Sequence, residues 1–197
     1  MEATINYVIT GTGAADTITT GGLADTITGG VGADTLSGGD GADTFVRNGN
    51  ATTDGVDTVT FVAADDILDF TTSASLEGGA ATTAYGTEGA LGNIATGVGL
   101  QVFSSNITVA DATVGPTEAE IETYLGANEV FFNGATGDSV YIFADDGVNT
   151  YGFLVTEGAD GTNKQFDAAD DVGTTFIILS GISDATTLSA ANFADFT

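Results

Sequence analysis

The chain has 197 residues, enough for one or two small domains. Two basic residues, Arg47 and Lys164, face 28 acidic ones for a formal charge of −26, which argues against nucleic acid and anionic membranes as partners and in favour of cations. With no Cys, His or Trp there is no disulfide, no thiolate or imidazole metal site and no Ser–His or Cys–His nucleophile pair. With 28 acids a glycosidase-type carboxylate pair remains possible, but nothing in the chain singles out such a pair, so the protein is expected not to be an enzyme.

The first residues, MEATINYVITG, lack the basic start and the apolar run of a secretory signal. No stretch approaches the ~18 apolar residues of a membrane-spanning helix, so membrane insertion is not expected. Residues 11–46 then read GTGAADTIT, TGGLADTIT, GGVGADTLS and GGDGADTFV, one nine-residue unit written four times without a gap. The sixth position is always Asp (Asp16, Asp25, Asp34, Asp43) and the seventh always Thr (Thr17, Thr26, Thr35, Thr44). The eighth is large and apolar (Ile18, Ile27, Leu36, Phe45), and Ile9 extends that ladder one rung back, with Tyr7 where the Asp would stand. Each unit predicts a glycine-rich loop followed by a three-residue strand whose central side chain points opposite to its neighbours. One such strand cannot bury its apolar residue alone; stacked copies can.

This unit resembles the glycine-aspartate nonapeptide of RTX-type calcium-binding proteins. The resemblance implies a parallel β-roll in which two units make one coil and Ca²⁺ sits between loops stacked on the same side. It implies that Asp16 pairs with Asp34, and Asp25 with Asp43. Backbone carbonyls would complete the sites: Thr12 and Ala14 with Gly29 and Val31 on one side, Gly21 and Leu23 with Gly38 and Asp40 on the other. A third site would join Gly30, Gly32 and Asp34 to the turn between Arg47 and Asp54. Ala14 and Leu23 stand where the pattern has Gly, so the second loop is expected to be distorted or its site weak. Five small apolar contacts are few against the backbone entropy of the segment, and oxygen coordination of a hard cation would supply folding free energy.

Residues 47–56 (RNGNATTDGV) form a turn cluster, which places a boundary between a calcium-binding β-roll at 1–56 and a β-rich domain at 57–197. The following DGVDTVTFVAADDILDFTT resembles the segment that closes RTX rolls. Its acids Asp54, Asp57, Asp65, Asp66 and Asp69 either finish the last calcium loops or lie as surface carboxylates on an edge strand. Residues 73–99 read as a long loop or short strands, and a strand follows from Leu100. PTEAEIETYLG gives a helix with a Thr117–Glu120 capping box, a buried stripe of Ile121, Tyr124 and Leu125, and an end at Gly126. From Asn128 onward four β runs (NEVFFNG, DSVYIFADDG, NTYGFLVTEG and GTTFIILSG) are separated by Asp-Gly and Asn-Gly turns of the antiparallel kind. Acids at Asp160, Asp167, Asp170 and Asp171 are either a further cation site or solvated loop residues. The end, with Phe193, Asp195 and Phe196, resembles a type I secretion tail, and a chain that opens on Met1 and closes on such a tail is expected to be whole.

The expected fold is thus all-β: a parallel β-roll of nonapeptide repeats, then an antiparallel β-sandwich-like domain with one short helix. The expected function is an extracellular or cell-surface bacterial protein that binds Ca²⁺, folds with it and self-assembles into a homo-polymer, as filament or surface layer. The alternative is a calcium-triggered folding and secretion module of a larger exoprotein system. In either case the type I secretion machinery is an expected partner.

Overall fold

A three-residue strand between glycine-rich loops buries its central side chain only against another copy of itself, and here it does so by coiling. The computed structural model describes residues 5–47, 54–70, 84–87, 98–103, 106–127, 139–156, 158 and 172–194. The expectations placed on residues 48–53, on most of 73–99, on the run at 128–138, on Asp160, Asp167, Asp170 and Asp171, and on Asp195 and Phe196 lie outside the described residues.

The repeats supply β1 (Val8–Thr10), β2 (Thr17–Thr19), β3 (Thr26–Thr28), β4 (Thr35–Ser37) and β5 (Thr44–Val46). Alternate strands pair in parallel, β1–β3–β5 in one sheet and β2–β4 in a second. Ile9 stands opposite Ile27 and Ile27 opposite Phe45, while Ile18 stands opposite Leu36. The next strands, β6 (Asp57–Thr60) and β7 (Ile67–Asp69), continue the two ladders beyond residue 56, setting Val59 against Leu36 and Leu68 against Phe45. Between the sheets Ile27, Leu36, Phe45, Val59 and Leu68 are fully buried, whereas Ile18 is only partly buried at the N-terminal end of the stack.

The second sheet does not stop at β6. After β8 (Ala84–Thr87), β9 (Val98–Val102) and the helix α1 (Glu118–Ala127) come β10 (Ser139–Asp145), β11 (Asn149–Thr156) and β12 (Val172–Ser180). β12 pairs in parallel with β6 and antiparallel with β11, which pairs antiparallel with β10. β9 and β8 add in parallel at the far edge, giving the order β2-β4-β6-β12-β11-β10-β9-β8. The expected β-roll and β-sandwich-like layers are both present, joined through one continuous sheet.

The central strands of that sheet are apolar on both faces, as strands covered on both sides must be. Tyr141, Phe143 and Leu179 face the core shared with the roll. Val140, Ile142, Tyr151 and Ile178 face a second core closed by α1 through Ile121, Tyr124 and Leu125. The capping box forms: the Thr117 N–H donates to Glu120 Oε2 at 2.7 Å, and Glu120 Oε1 also accepts from the Ala110 N–H. The helix runs one residue past Gly126.

One irregularity matters for the site. Opposite Gly152 and Phe153 of β11, strand β12 carries an extra residue, Phe176. A side chain at Gly152 would collide with Phe176, Ile177 and Phe143, so only glycine lets the bulge turn its aromatic ring inward. The last described strand returns to the roll: β13 (Phe193–Ala194) pairs in parallel with β7, and the Asn192 amide donates to the Ala63 and Asp66 carbonyls.

Candidate metal centre

Because two units complete a coil, the sixth-position Asp residues form two columns, one on each side of the roll. The first runs Asp16, Asp34, Asp57, and the second Asp25, Asp43, Asp66. In each column a carboxylate accepts the backbone N–H of the Asp one coil earlier. The Asp16 N–H donates to Asp34 Oδ1 at 2.8 Å and the Asp34 N–H to Asp57 Oδ1 at 3.0 Å. On the other side the Asp25 N–H donates to Asp43 Oδ1 at 2.8 Å and the Asp43 N–H to Asp66 Oδ1 at 3.0 Å. Tyr7 joins this column through its backbone alone, donating to Asp25 Oδ1 at 2.7 Å.

The second carboxylate oxygens differ along the columns. Asp16 Oδ2, on the exposed first loop, accepts both the N–H and the hydroxyl of Thr12. Asp66 Oδ2 accepts the Val62 N–H at 2.8 Å. Between them, Asp34 Oδ2 and Asp43 Oδ2 are buried with no hydrogen-bond partner, as is Asp54 Oδ1. Burial pushes the carboxyls of Asp34, Asp43, Asp54 and Asp66 up, and that of Asp57 up to about 7. Asp16 stays below the usual range because Thr12 bonds its charged form. At Asp25 burial opposes ionisation, but the Tyr7 and Gly21 N–H groups and the nearby Thr20 hydroxyl together outweigh it and hold the carboxyl low. Buried carboxylate oxygens without donors are costly unless a cation lies beside them.

The backbone around these oxygens is close-packed. The Val31 N–H donates to the Thr12 carbonyl and the Asp40 N–H to the Gly21 carbonyl, each at 3.1 Å, so the first loop sits on the third and the second on the fourth. Gly30 lies against the Thr12 carbonyl and Gly39 against that of Gly21, while Gly32 and Gly41 lie against Ala14 and Leu23. All four have positive φ, between 95° and 135°, which together with the contact excludes a side chain. Gly29 and Gly38 pack on the carboxylates of Asp34 and Asp43 in their own loops. Leu23 and Val31 project outward, 37 % and 50 % exposed, so they face the loops only through their backbone. On the first column the Gly32 N–H donates to the Asp54 carbonyl at 2.7 Å, and Gly55 packs on Gly32 and Ala33.

Of the acids in the closing segment, Asp57 and Asp66 enter the columns and Asp54 abuts the first one. Asp65 is exposed on the turn, and Asp69 lies within β7. Among the described residues no three acidic side chains converge on one point. A cation here would therefore be held by one or two carboxylates and by loop carbonyls, which have a second lone pair free. That donor set is all oxygen and suits a hard cation such as Ca²⁺. Sequence reasoning missed the Thr12 hydroxyl, the Thr20 hydroxyl that bonds the Gly38 carbonyl at 2.7 Å, and Arg47, which is buried beside Asp57. The signal for Arg47 was its rarity, since it is one of two basic residues in the chain.

Residues 9–45 match the RTX calcium-binding nonapeptide repeat, in four copies. No curated protein matches the chain.

Proposed function

Since residues 9–45 are RTX-type repeats that bind Ca²⁺, we propose that this chain is a non-enzymatic structural protein of the bacterial cell exterior that folds with calcium and assembles with copies of itself. In this reading Asp16, Asp25, Asp34 and Asp43, with the loop carbonyls packed around them, hold the ions, and Asp54, Asp57 and Asp66 complete the last coil. No helix among the described residues is long and apolar enough to cross a membrane.

The observation that carries the reading is the N-terminal end of the roll. Among the described residues β1 and β2 are the outermost strands of their sheets, each paired on one side only. Around β1, Ile5 is 63 % and Val8 81 % exposed, and Tyr7 is exposed beside them. Proteins normally cover or use such an edge, because its unpaired N–H and C=O groups template another strand. A neighbour seated there would give head-to-tail contacts that propagate. At a charge of −26, such contacts need cations to reduce repulsion.

The test is light scattering and electron microscopy of the purified protein with chelator and with millimolar Ca²⁺. Assembly in calcium, dissolved by chelation and abolished by deleting residues 1–10 from a still-folded chain, supports the proposal. A monomer at millimolar Ca²⁺ and high concentration overturns it. That result would favour a calcium-triggered folding and secretion module, a reading supported by the way the C-terminal strand β13 completes the first sheet. Export would then depend on residues 188–197, and normal secretion without them would sink that alternative.

A further inference from the structure

The two columns are equivalent in backbone but not at their last coil. On the second column, Asp66 is bonded by the Val62 and Asp43 N–H groups, both neutral. On the first, the guanidinium of Arg47 donates to Asp57 Oδ2 at 3.0 Å and stands 3.9 Å from Asp54 Oδ2. Arg47 is 7 % exposed. The bulge on β12 adds further contacts: the guanidinium lies 4.9 Å from the centre of the Phe176 ring and donates to the Phe176 carbonyl at 3.0 Å. A bulge leaves its extra residue out of the sheet ladder, and here that freed carbonyl and ring build the site for the cation.

We propose that Arg47 is a resident cation that offsets one of the two carboxylate charges at the end of the first column, so that this corner of the roll closes without calcium while the corresponding corner of the second column requires it. The charge arithmetic supports this. Two buried carboxylates, Asp54 and Asp57, meet at this corner, and a guanidinium bonded to Asp57 and to a carbonyl, 3.9 Å from Asp54, offsets one of the two charges with a cation that cannot dissociate. Among the described residues the second column has no such group: Arg47 is the one basic side chain there, and the chain's other basic residue, Lys164, lies outside them. The inference rests on calcium binding by the repeats, but not on the assembly proposed above.

Two matched pairs of amides report on it. The Asp34 N–H bonds Asp57 Oδ1 and the Thr58 N–H bonds the Asp34 carbonyl; on the other side the Asp43 N–H bonds Asp66 Oδ1 and the Ile67 N–H bonds the Asp43 carbonyl. Hydrogen exchange of the full chain in chelator is expected to be slower at Asp34 and Thr58 than at Asp43 and Ile67 by at least about tenfold, and saturating Ca²⁺ is expected to remove the difference. Arg47→Met keeps the stem over Phe176 but not the charge, and should lower Asp34 and Thr58 to the level of the other pair in chelator. Equal exchange of the two pairs in the unaltered chain, or an Arg47→Met profile like that of the unaltered chain, overturns the proposal. If calcium changes neither pair, the calcium reading of the columns fails, and the comparison in chelator still judges Arg47.

Discussion

In the roll, the carboxylates of Asp34 and Asp43 are buried, held through one oxygen by the neighbouring coil and left open at the other. In the C-terminal sheet and the helix that covers it, Asp146 accepts from the Val148 and Asn149 N–H groups and from the Tyr151 hydroxyl, and Glu120 from Thr117 and Ala110. Burial raises the first pair. At Asp146 burial acts the same way, but its donors prevail and hold it low, and the Thr117 N–H leads in lowering Glu120. The difference is one of range. A carboxylate satisfied within its own turn is complete when that turn forms, whereas one shared between coils waits for a second coil and for a cation. The apolar cores follow suit: the sheet buries Tyr151, Phe153 and Phe143 completely, while each repeat strand contributes one apolar side chain to the interior.

The largest expected effect separates the two regions outright. Chelation should cost the roll most of its strand signal, the corner held by Arg47 excepted, with recovery at roughly 0.1–1 mM Ca²⁺, while amides of β10, β11 and β12 stay protected. Circular dichroism and hydrogen exchange check this, and an unchanged spectrum between chelator and millimolar calcium would remove the distinction. Next come substitutions that should act on one region each. Asp34→Ala deletes a charged acceptor and an open oxygen, and should raise the calcium midpoint roughly tenfold or more. Asp16→Ala, on an exposed loop, should raise it less. Phe153→Ala should cost about 3–5 kcal/mol in chelator and in calcium alike. Equal calcium midpoints for the two Asp variants would argue against stacked columns.

Acid should move the regions in opposite directions. In chelator, Asp34, Asp43 and Asp57 bind protons more tightly folded than unfolded, so their contribution is full below the unfolded value of 3.8 and is lost as pH rises, for Asp57 through about 7. Strand signal lost to chelator at neutral pH should therefore return in part at about pH 5. Asp146 and Glu120 are lowered, so their contribution is present above the unfolded values of 3.8 and 4.5 and is lost as pH falls through the folded ones. Melting curves across this range, followed by an aromatic signal for the sheet, distinguish the two signs. The smallest effect is at the helix: Thr117→Ala should cost about 0.5–2 kcal/mol whether or not calcium is present.

What could be read from the sequence follows the same division by range. A fixed period of nine with an apolar residue in constant phase predicts stacked strands sharing a core, and the resemblance to RTX repeats implied two-unit coils with paired Asp residues; the structure has all three. The helix was legible because a capping box and an apolar stripe are local signals. The closing coil was only half legible. Partners within the repeats are 18 residues apart, but Asp34 reaches Asp57 and Asp43 reaches Asp66 across 23, and the added residues hide the period. The use of β6 to join the roll to β12, and the bulge at Phe176 that receives Arg47, depend on contacts more than a hundred residues apart. No local pattern encodes them.

The carboxylate ladder also has a direction. Among the described residues each coil's backbone is gripped by the acid of the coil after it, from Tyr7 on Asp25 through Asp43 on Asp66, and not by the one before. Under tension the first coil is thus the one that grips nothing ahead of it, and pulling on the N-terminal end peels coils singly. Each release frees two units, the 18 residues between Asp16 and Asp34, or ~60 Å of extended chain. Tension applied this way would be met as a series of small, near-equal yields instead of one rupture, with every coil behind the break still latched and able to receive the lost one when the load falls.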